Sequence, residues 1–173
     1  MWNKVAMFEK VSYEQFKKDF IKTFGEDFSE ELIQGYYDAI KLPKRATSGS
    51  AGYDFYCPLD IDIPANTSIA IPTGIRCYIL ADWVLMAFPR SGHGFKYGIH
   101  MANTVGIIDS DYYFSDNEGH IFIKLVNDSI LAESVALNVG DAFCQGVFLR
   151  YGITADDNAD GVRNGGFGST DVR

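Results

Sequence analysis

From residue 46 onward the chain is a series of short β-prone runs punctuated by Gly, Pro, Asn and Asp, with no helical pattern between them. The runs fall at 52–57, 67–71, 74–80, 84–88, 98–101, 121–126 and 142–149. Strands at this spacing predict an all-β sandwich or jelly roll. At 173 residues the chain is long enough for one domain with a substantial core.

The first 45 residues have a different texture. Ser12 with Gln15 is a capping-box pattern, and Tyr13, Phe16, Phe20 and Phe24 follow at helical spacing up to a stop at Gly25. A second helix is expected from about Asp27 to Ser29, with Leu32, Ile33, Tyr36, Tyr37 and Ile40 on its buried side and Pro43 ending it. The aromatic stripe reads as a packing face. The division expected is a helical extension at 1–45, a β domain at 46–153 and a flexible tail at 154–173. The tail is rich in Gly, Asp and Asn, and Phe167 is its lone large aromatic.

Charge narrows the partners. Residues 1–45 carry eight acids and eight bases, which leaves fifteen acids and seven bases, and the whole net charge of −8, to the rest. Such a surface opposes nucleic acid, whose binding rests on Lys and Arg neutralising phosphates. It makes the few cations there, Arg90 and Arg163 above all, stand out, and leaves open a small anionic ligand on which they converge. No apolar run reaches membrane-spanning length and the start MWNKVAMFEK lacks a secretory stretch. Cys57, Cys77 and Cys144 have no metal-ligand spacing, and their odd number beside that start favours reduced, mostly buried thiols and a cytoplasmic location. His93, His100 and His120 likewise show no zinc spacing and read as structural or surface residues.

The segment GIIDSDY at 106–112 runs from apolar residues straight into two carboxylates and a ring. Read as a strand end, it directs Asp109 and Asp111 to one face. Buried acids need a cation, hydrogen bonds or a task. Pro89-Arg90-Ser91-Gly92 and 165–170 (GGFGST) supply a guanidinium, hydroxyls and exposed amides suited to a polyphosphate. The stretch 48–54 lacks the Gly-Lys-Ser/Thr ending and a following helix, so it is no P-loop. Asp54 within it is either a solvated turn acid or a magnesium partner.

Together these segments resemble the homotrimeric dUTPase family. The resemblance covers about 46–173 and rests on SAGYDF at 50–55, PRSGHGFKYGI at 89–99, NTVGIIDSDY at 103–112, GDAFCQGVF at 140–148 and RNGGFGST at 163–170. Five ordered motifs are far more specific than any one. The resemblance implies a dUTPase-like β jelly roll, here with an N-terminal two-helix extension, that forms a homotrimer with three shared sites. It implies hydrolysis of dUTP to dUMP and pyrophosphate, with magnesium-assisted water attack at the α-phosphorus.

Carried onto this chain, the resemblance makes Asp109 the general base. Asn103 and the backbone of Gly106, Ile107 and Ile108 read the uracil edge, and Tyr112 lies beneath the deoxyribose. Arg90, Ser91, Gly92 and Gln145 hold the triphosphate, and Asp54 contacts magnesium through water. Phe167 closes over the base, while Arg163, Gly168, Ser169 and Thr170 grip the γ-phosphate, which makes the tail a lid.

Three departures stand out. Residues 113–118 lengthen and acidify a hairpin tip that the family usually keeps tight. Arg163 precedes Phe167 by four positions rather than five, and Ala142 stands where an arginine is common. Two other readings remain at this stage. One is a dCTP deaminase, which needs a glutamate in the pocket. The other is a nucleotide-responsive module whose hairpin tip and helices offer a surface to a regulatory protein partner.

Overall fold

The computed structural model describes residues 4–130, 132–163 and 165. The elements run β1 (Ala6–Lys10), α1 (Tyr13–Phe24), α2 (Glu30–Ala39), β2 (Lys44–Arg45), β3 (Tyr53–Tyr56), β4 (Ile61–Ile63), β5 (Thr67–Pro72), β6 (Ile75–Ile79) and β7 (Trp83–Pro89). They continue with α3 (Ser91–Tyr97), β8 (Ile99–Met101), β9 (Gly106–Ile108), a 3-10 turn at Ser110–Phe114, β10 (Phe122–Asn127), β11 (Val135–Leu137) and β12 (Ala142–Arg150).

Every described strand pairing is antiparallel. The largest sheet has the order β2-β3-β12-β7-β9, and a second has β5-β10-β8. The pairs β4–β11 and β1–β6 complete the set. Strand β12 lies between β3 and β7, and an irregularity in its register with β3 between Ala142 and Cys144 goes with the burial of two successive residues, Phe143 and Cys144. This is the all-β, jelly-roll architecture with added helices that the strand spacing predicts.

The helices form for local reasons and persist for tertiary ones. The Ser12 hydroxyl accepts from the Gln15 amide at 3.2 Å, capping α1, and Gly25 ends it at φ +92° with its N–H on the Ile21 carbonyl. The other half of the capping box is supplied from afar, because the Ser12 N–H donates to the Glu118 carboxylate at 2.7 Å. Phe16, Phe20 and Ile33 are fully buried and belong to the same core as Phe55, Ile71 and Ile123 of the sheets. Burial of side chains this size contributes about 1.5–3 kcal/mol each, which offsets the modest stability of a short helix alone. The contact is close. Gly74 has φ +71°, and a Cβ there would meet Ile40 Cδ1 at 2.2 Å.

Three expectations need correction. Residues 4–45 are not helical alone, since β1 is the first described element and pairs with β6, Ala6 opposite Ile79 and Lys10 opposite Ile75. Leu32 is exposed, because the buried stripe of α2 centres on Ile33 and Ile40 and leaves Leu32 on its margin. Asp109 and Asp111 do not share a strand face: β9 stops at Ile108, and Asp109 caps the 3-10 turn that contains Asp111. Helix α3 was also unforeseen, since SGHGFKY carries two glycines and buries none of its residues.

Candidate active site

Two recesses collect the chemically equipped residues. The first holds about 290 Å³ and is lined by Asn103, Gly106, Ile107, Ile108, Tyr112 and Arg163, together with Phe122 and Ile123 of β10. Strand β9 forms its wall and pairs with β7, Gly106 opposite Ala87 and Ile108 opposite Leu85. Asn103 sits in the turn before β9, where Thr104 takes φ +63° and the Val105 N–H bonds the Asn103 carbonyl. Tyr112 is buried, and its hydroxyl donates to the His120 carbonyl at 2.7 Å while accepting from Asn117 Nδ2 at 2.9 Å. Burial pushes that hydroxyl up, the Asn117 hydrogen bond offsetting only part, so the ring carries no charge at neutral pH.

The carboxylates stand at the rim. The Arg163 guanidinium joins them, donating through Nη2 to Asp109 Oδ2 at 2.6 Å and through Nε to Asp111 Oδ1 at 2.8 Å. Both acids stay partly open to solvent, with side-chain exposures of 43% and 55%, whereas the arginine is at 21%. Asp109 can therefore meet a water from the solvent side. The same contact shows that Arg163, despite its shifted position, reaches this recess.

The second recess, about 430 Å³, lies at the start of α3 and is lined by Arg90, Ser91, Gly92, His93, Lys96 and Tyr97. Two cations and a hydroxyl gather there on an otherwise acidic domain, a donor set whose chemistry suits a polyanion. Asp54 pairs with Arg90 Nε at 3.4 Å, and its strand register sets it opposite Gln145. Gln145 Nε2 reaches the Pro89 carbonyl at 3.5 Å, so Asp54, Arg90 and Gln145 form one cluster. Burial first, and then the charge of Arg90, push the His93 imidazole down, so it is neutral in this surface. Lys96 and Tyr97 carry no sequence signal of their own and His93 reads there only as structural or surface, because only their position on α3 brings them beside Arg90.

The two recesses do not meet within one chain. Arg90 lies three residues past Ala87, at the Gly106 end of the β7–β9 ladder. Asp109 lies one residue past Ile108, at the other end, opposite Val84 if the register is continued. Six residues of extended strand span roughly 20 Å. Phe167, Gly168, Ser169 and Thr170 lie outside the described residues. Among the described residues no three His, Cys, Asp or Glu side chains cluster to hold a metal. A single carboxylate such as Asp54 suits a magnesium ion that keeps its waters and is carried mainly by phosphate oxygens.

A small pocket walled by strand backbone, together with a separate cationic recess on an antiparallel jelly roll, is the equipment of a nucleotide-processing β enzyme. The dUTPase family model matches residues 38–171. The deoxyuridine 5'-triphosphate nucleotidohydrolase of Lactococcus lactis is 39% identical over 144 residues, covering 81% of this chain and 95% of that protein. The crystal structure of the dUTPase from Streptococcus mutans superposes with a TM-score of 0.64 at 32% identity, covering 85% of this chain and 97% of the other. A dUTPase from phage phi11 of S. aureus, which coordinates a structural Mg(II) ion, shares the fold at TM-score 0.59 and 18% identity, over 72% of this chain and 92% of its own. The chain belongs to the dUTPase family, and its activity is the hydrolysis of dUTP. Among the described residues no helix is long and apolar enough to cross a membrane.

Proposed function

We propose that the chain hydrolyses dUTP to dUMP and pyrophosphate by attack of water on the α-phosphorus, in sites built from three subunits. Asp109 accepts the proton as the water oxygen bonds to phosphorus; the bond from the α-phosphorus to the oxygen bridging to the β-phosphorus breaks and pyrophosphate leaves. Asn103 and the backbone of Gly106 to Ile108 read the uracil edge, and Tyr112 packs under the deoxyribose, where a ribose hydroxyl would clash. Arg90, Ser91, Gly92 and Gln145 hold the phosphates. Magnesium, when bound with the substrate, offsets triphosphate charge, and Asp54 would hold it through a water.

The observation that carries this reading is the 290 Å³ pocket, whose lining joins Asn103, Gly106, Ile107, Ile108 and Tyr112 beside Asp109. The roughly 20 Å between Asp109 and Arg90 along one chain supports sites shared between subunits, in which a second copy brings Arg90 to the pocket, and the family resemblance makes the assembly a homotrimer. In this reading residues 46–153 form the catalytic domain, 1–45 an extension, and 154–173 a lid that brings Phe167 over the base and Arg163, Gly168, Ser169 and Thr170 onto the γ-phosphate. The absence of glutamate among the described lining residues of the pocket weighs against cytosine deamination. A cytoplasmic setting suits the three buried free thiols. Pyrophosphate release from dUTP, dTTP, UTP and dCTP tests the reading. Strong preference for dUTP is expected, and equal turnover of UTP or ammonia release from dCTP would overturn it.

A further inference from the structure

The lengthened hairpin tip and the N-terminal element are one device. Three separate contacts tie residues 113–120 to the first nineteen residues. The Tyr113 hydroxyl donates to the Glu9 carboxylate. The Ser12 amide and hydroxyl both donate to Glu118, at 2.7 and 2.6 Å. His120 Nδ1 lies 2.6 Å from Asp19 Oδ2, across 101 residues of sequence. Asp19 falls outside the part of the chain that matches the family model.

The last contact is buried, and its chemistry fixes the imidazole. His120 Nε2 accepts from the Gly74 amide at 2.8 Å, and an amide can only donate. The ring proton therefore sits on Nδ1 and is donated to Asp19. The same Asp19 oxygen also accepts from Gln15 Nε2 at 2.7 Å, which holds the carboxylate in place. His120 is thus anchored at both nitrogens, and its carbonyl is the acceptor for the Tyr112 hydroxyl at 2.7 Å. Between them Gly119 takes φ +70°, and a Cβ there would meet the Tyr112 carbonyl at 2.7 Å, so the segment presses directly on the tyrosine backbone.

We infer that Asp19, acting through His120, is a positioning residue that fixes Tyr112 beneath the sugar and thereby sets discrimination against ribonucleotides. The inference rests on the reading of Tyr112 as the surface that meets the deoxyribose. Steric exclusion of one hydroxyl works only if the ring cannot retreat by a fraction of an ångström, and buried hydrogen bonds on its support supply that rigidity. Asp19 touches no substrate, so its loss acts on selectivity rather than on the chemical step.

The test compares kcat and KM for dUTP and UTP in the full-length oligomer. Asp19→Ala should lower the ratio of kcat/KM for dUTP over UTP by roughly tenfold or more, chiefly by improving UTP, with kcat for dUTP nearly kept. Asp19→Asn offers an oxygen to the same two donors and should restore most of the ratio. Should Asp19→Ala fail to fold, Asp19→Leu combined with His120→Gln and Gln15→Met keeps a side-chain oxygen for the Gly74 amide while removing the carboxylate, and must show the same lost selectivity. An unchanged ratio in the folded variants overturns the inference. Tyr112→Ala separates the two levels. If it loses discrimination while Asp19→Ala does not, Tyr112 keeps its role and Asp19 has none. If Tyr112→Ala keeps full discrimination, the reading of Tyr112 fails and the inference falls with it.

Discussion

Arg163 Nη2 donates to Asp109 Oδ2 at 2.6 Å, so a guanidinium from the tail covers the carboxylate proposed as general base. A lone pair held by that contact is not free to take a proton from water. An arriving triphosphate competes for the same guanidinium with more charge and more oxygens, and its capture of Arg163 would release Asp109.

Arg163→Ala should therefore lower kcat/KM for dUTP about tenfold or more, since a charge-assisted phosphate contact contributes about 1.5–3 kcal/mol. Inhibition by dUDP, which lacks a γ-phosphate, should barely change. Ending the chain after Gly161 should cause a larger loss with the oligomer intact by light scattering. A faster Arg163→Ala enzyme would mean that the contact only obstructs Asp109.

Asp109→Asn should keep dUTP binding and lose turnover. The amide preserves the shape and still hydrogen-bonds the water, but it cannot take the water's proton. A positioned base contributes on the order of 10²–10⁴ in rate. Isothermal titration with dUTP beside a single-turnover assay checks both halves, and near-normal turnover would remove Asp109 from the role.

The separation of Arg90 from Asp109 along the β7–β9 ladder makes a mixing experiment decisive. Arg90→Ala and Asp109→Asn should each be nearly inactive alone. Co-refolded at equal amounts, they should recover about a quarter of wild-type activity if each site draws the two residues from different subunits that assort at random. Sites confined to one chain would recover nothing.

The strands of the jelly roll were legible because β5, β6, β7, β10 and β12 are long enough to show alternation between turn residues. Strands β4 and β11 have three residues each and owe their pairing to tertiary contact, so no local pattern announced them. The sequence of β1, AMFEK, alternates too briefly to be told from a helix start. The pocket lining was legible through GIIDSDY, yet the geometry of the two acids was not. A strand reading put Asp109 and Asp111 on one face and Ser110 on the other, and so missed the 3-10 turn that lets one guanidinium bridge both acids. His120 read as structural or surface, which its complete burial bears out in the first sense. Its partner Asp19 lies 101 residues away and carries no motif, so only packing of α1 against the sheets reveals the pair.

That pair also predicts how the fold fails in acid. Burial pushes the Asp19 carboxyl up, but the hydrogen bonds from His120 and Gln15 outweigh it and hold the group below the ordinary aspartate range. Glu118 is likewise lowered, the two Ser12 hydrogen bonds overcoming its burial. A depressed folded value means that the unfolded chain takes up the proton first as pH falls. The stabilisation is thus complete above the unfolded values of about 4 and is lost as pH drops through the folded ones. The unfolding midpoint in urea should fall steeply below about pH 4. Asp19→Asn has no proton to gain, so its midpoint should start lower at pH 7 and decline less steeply through the same window. Because the amide retains the acceptor for His120, its dUTP over UTP selectivity should stay close to wild type, so the charge and the positioning role of this residue are measured separately. Parallel acid limbs for wild type and Asp19→Asn would assign the acid sensitivity to other carboxylates.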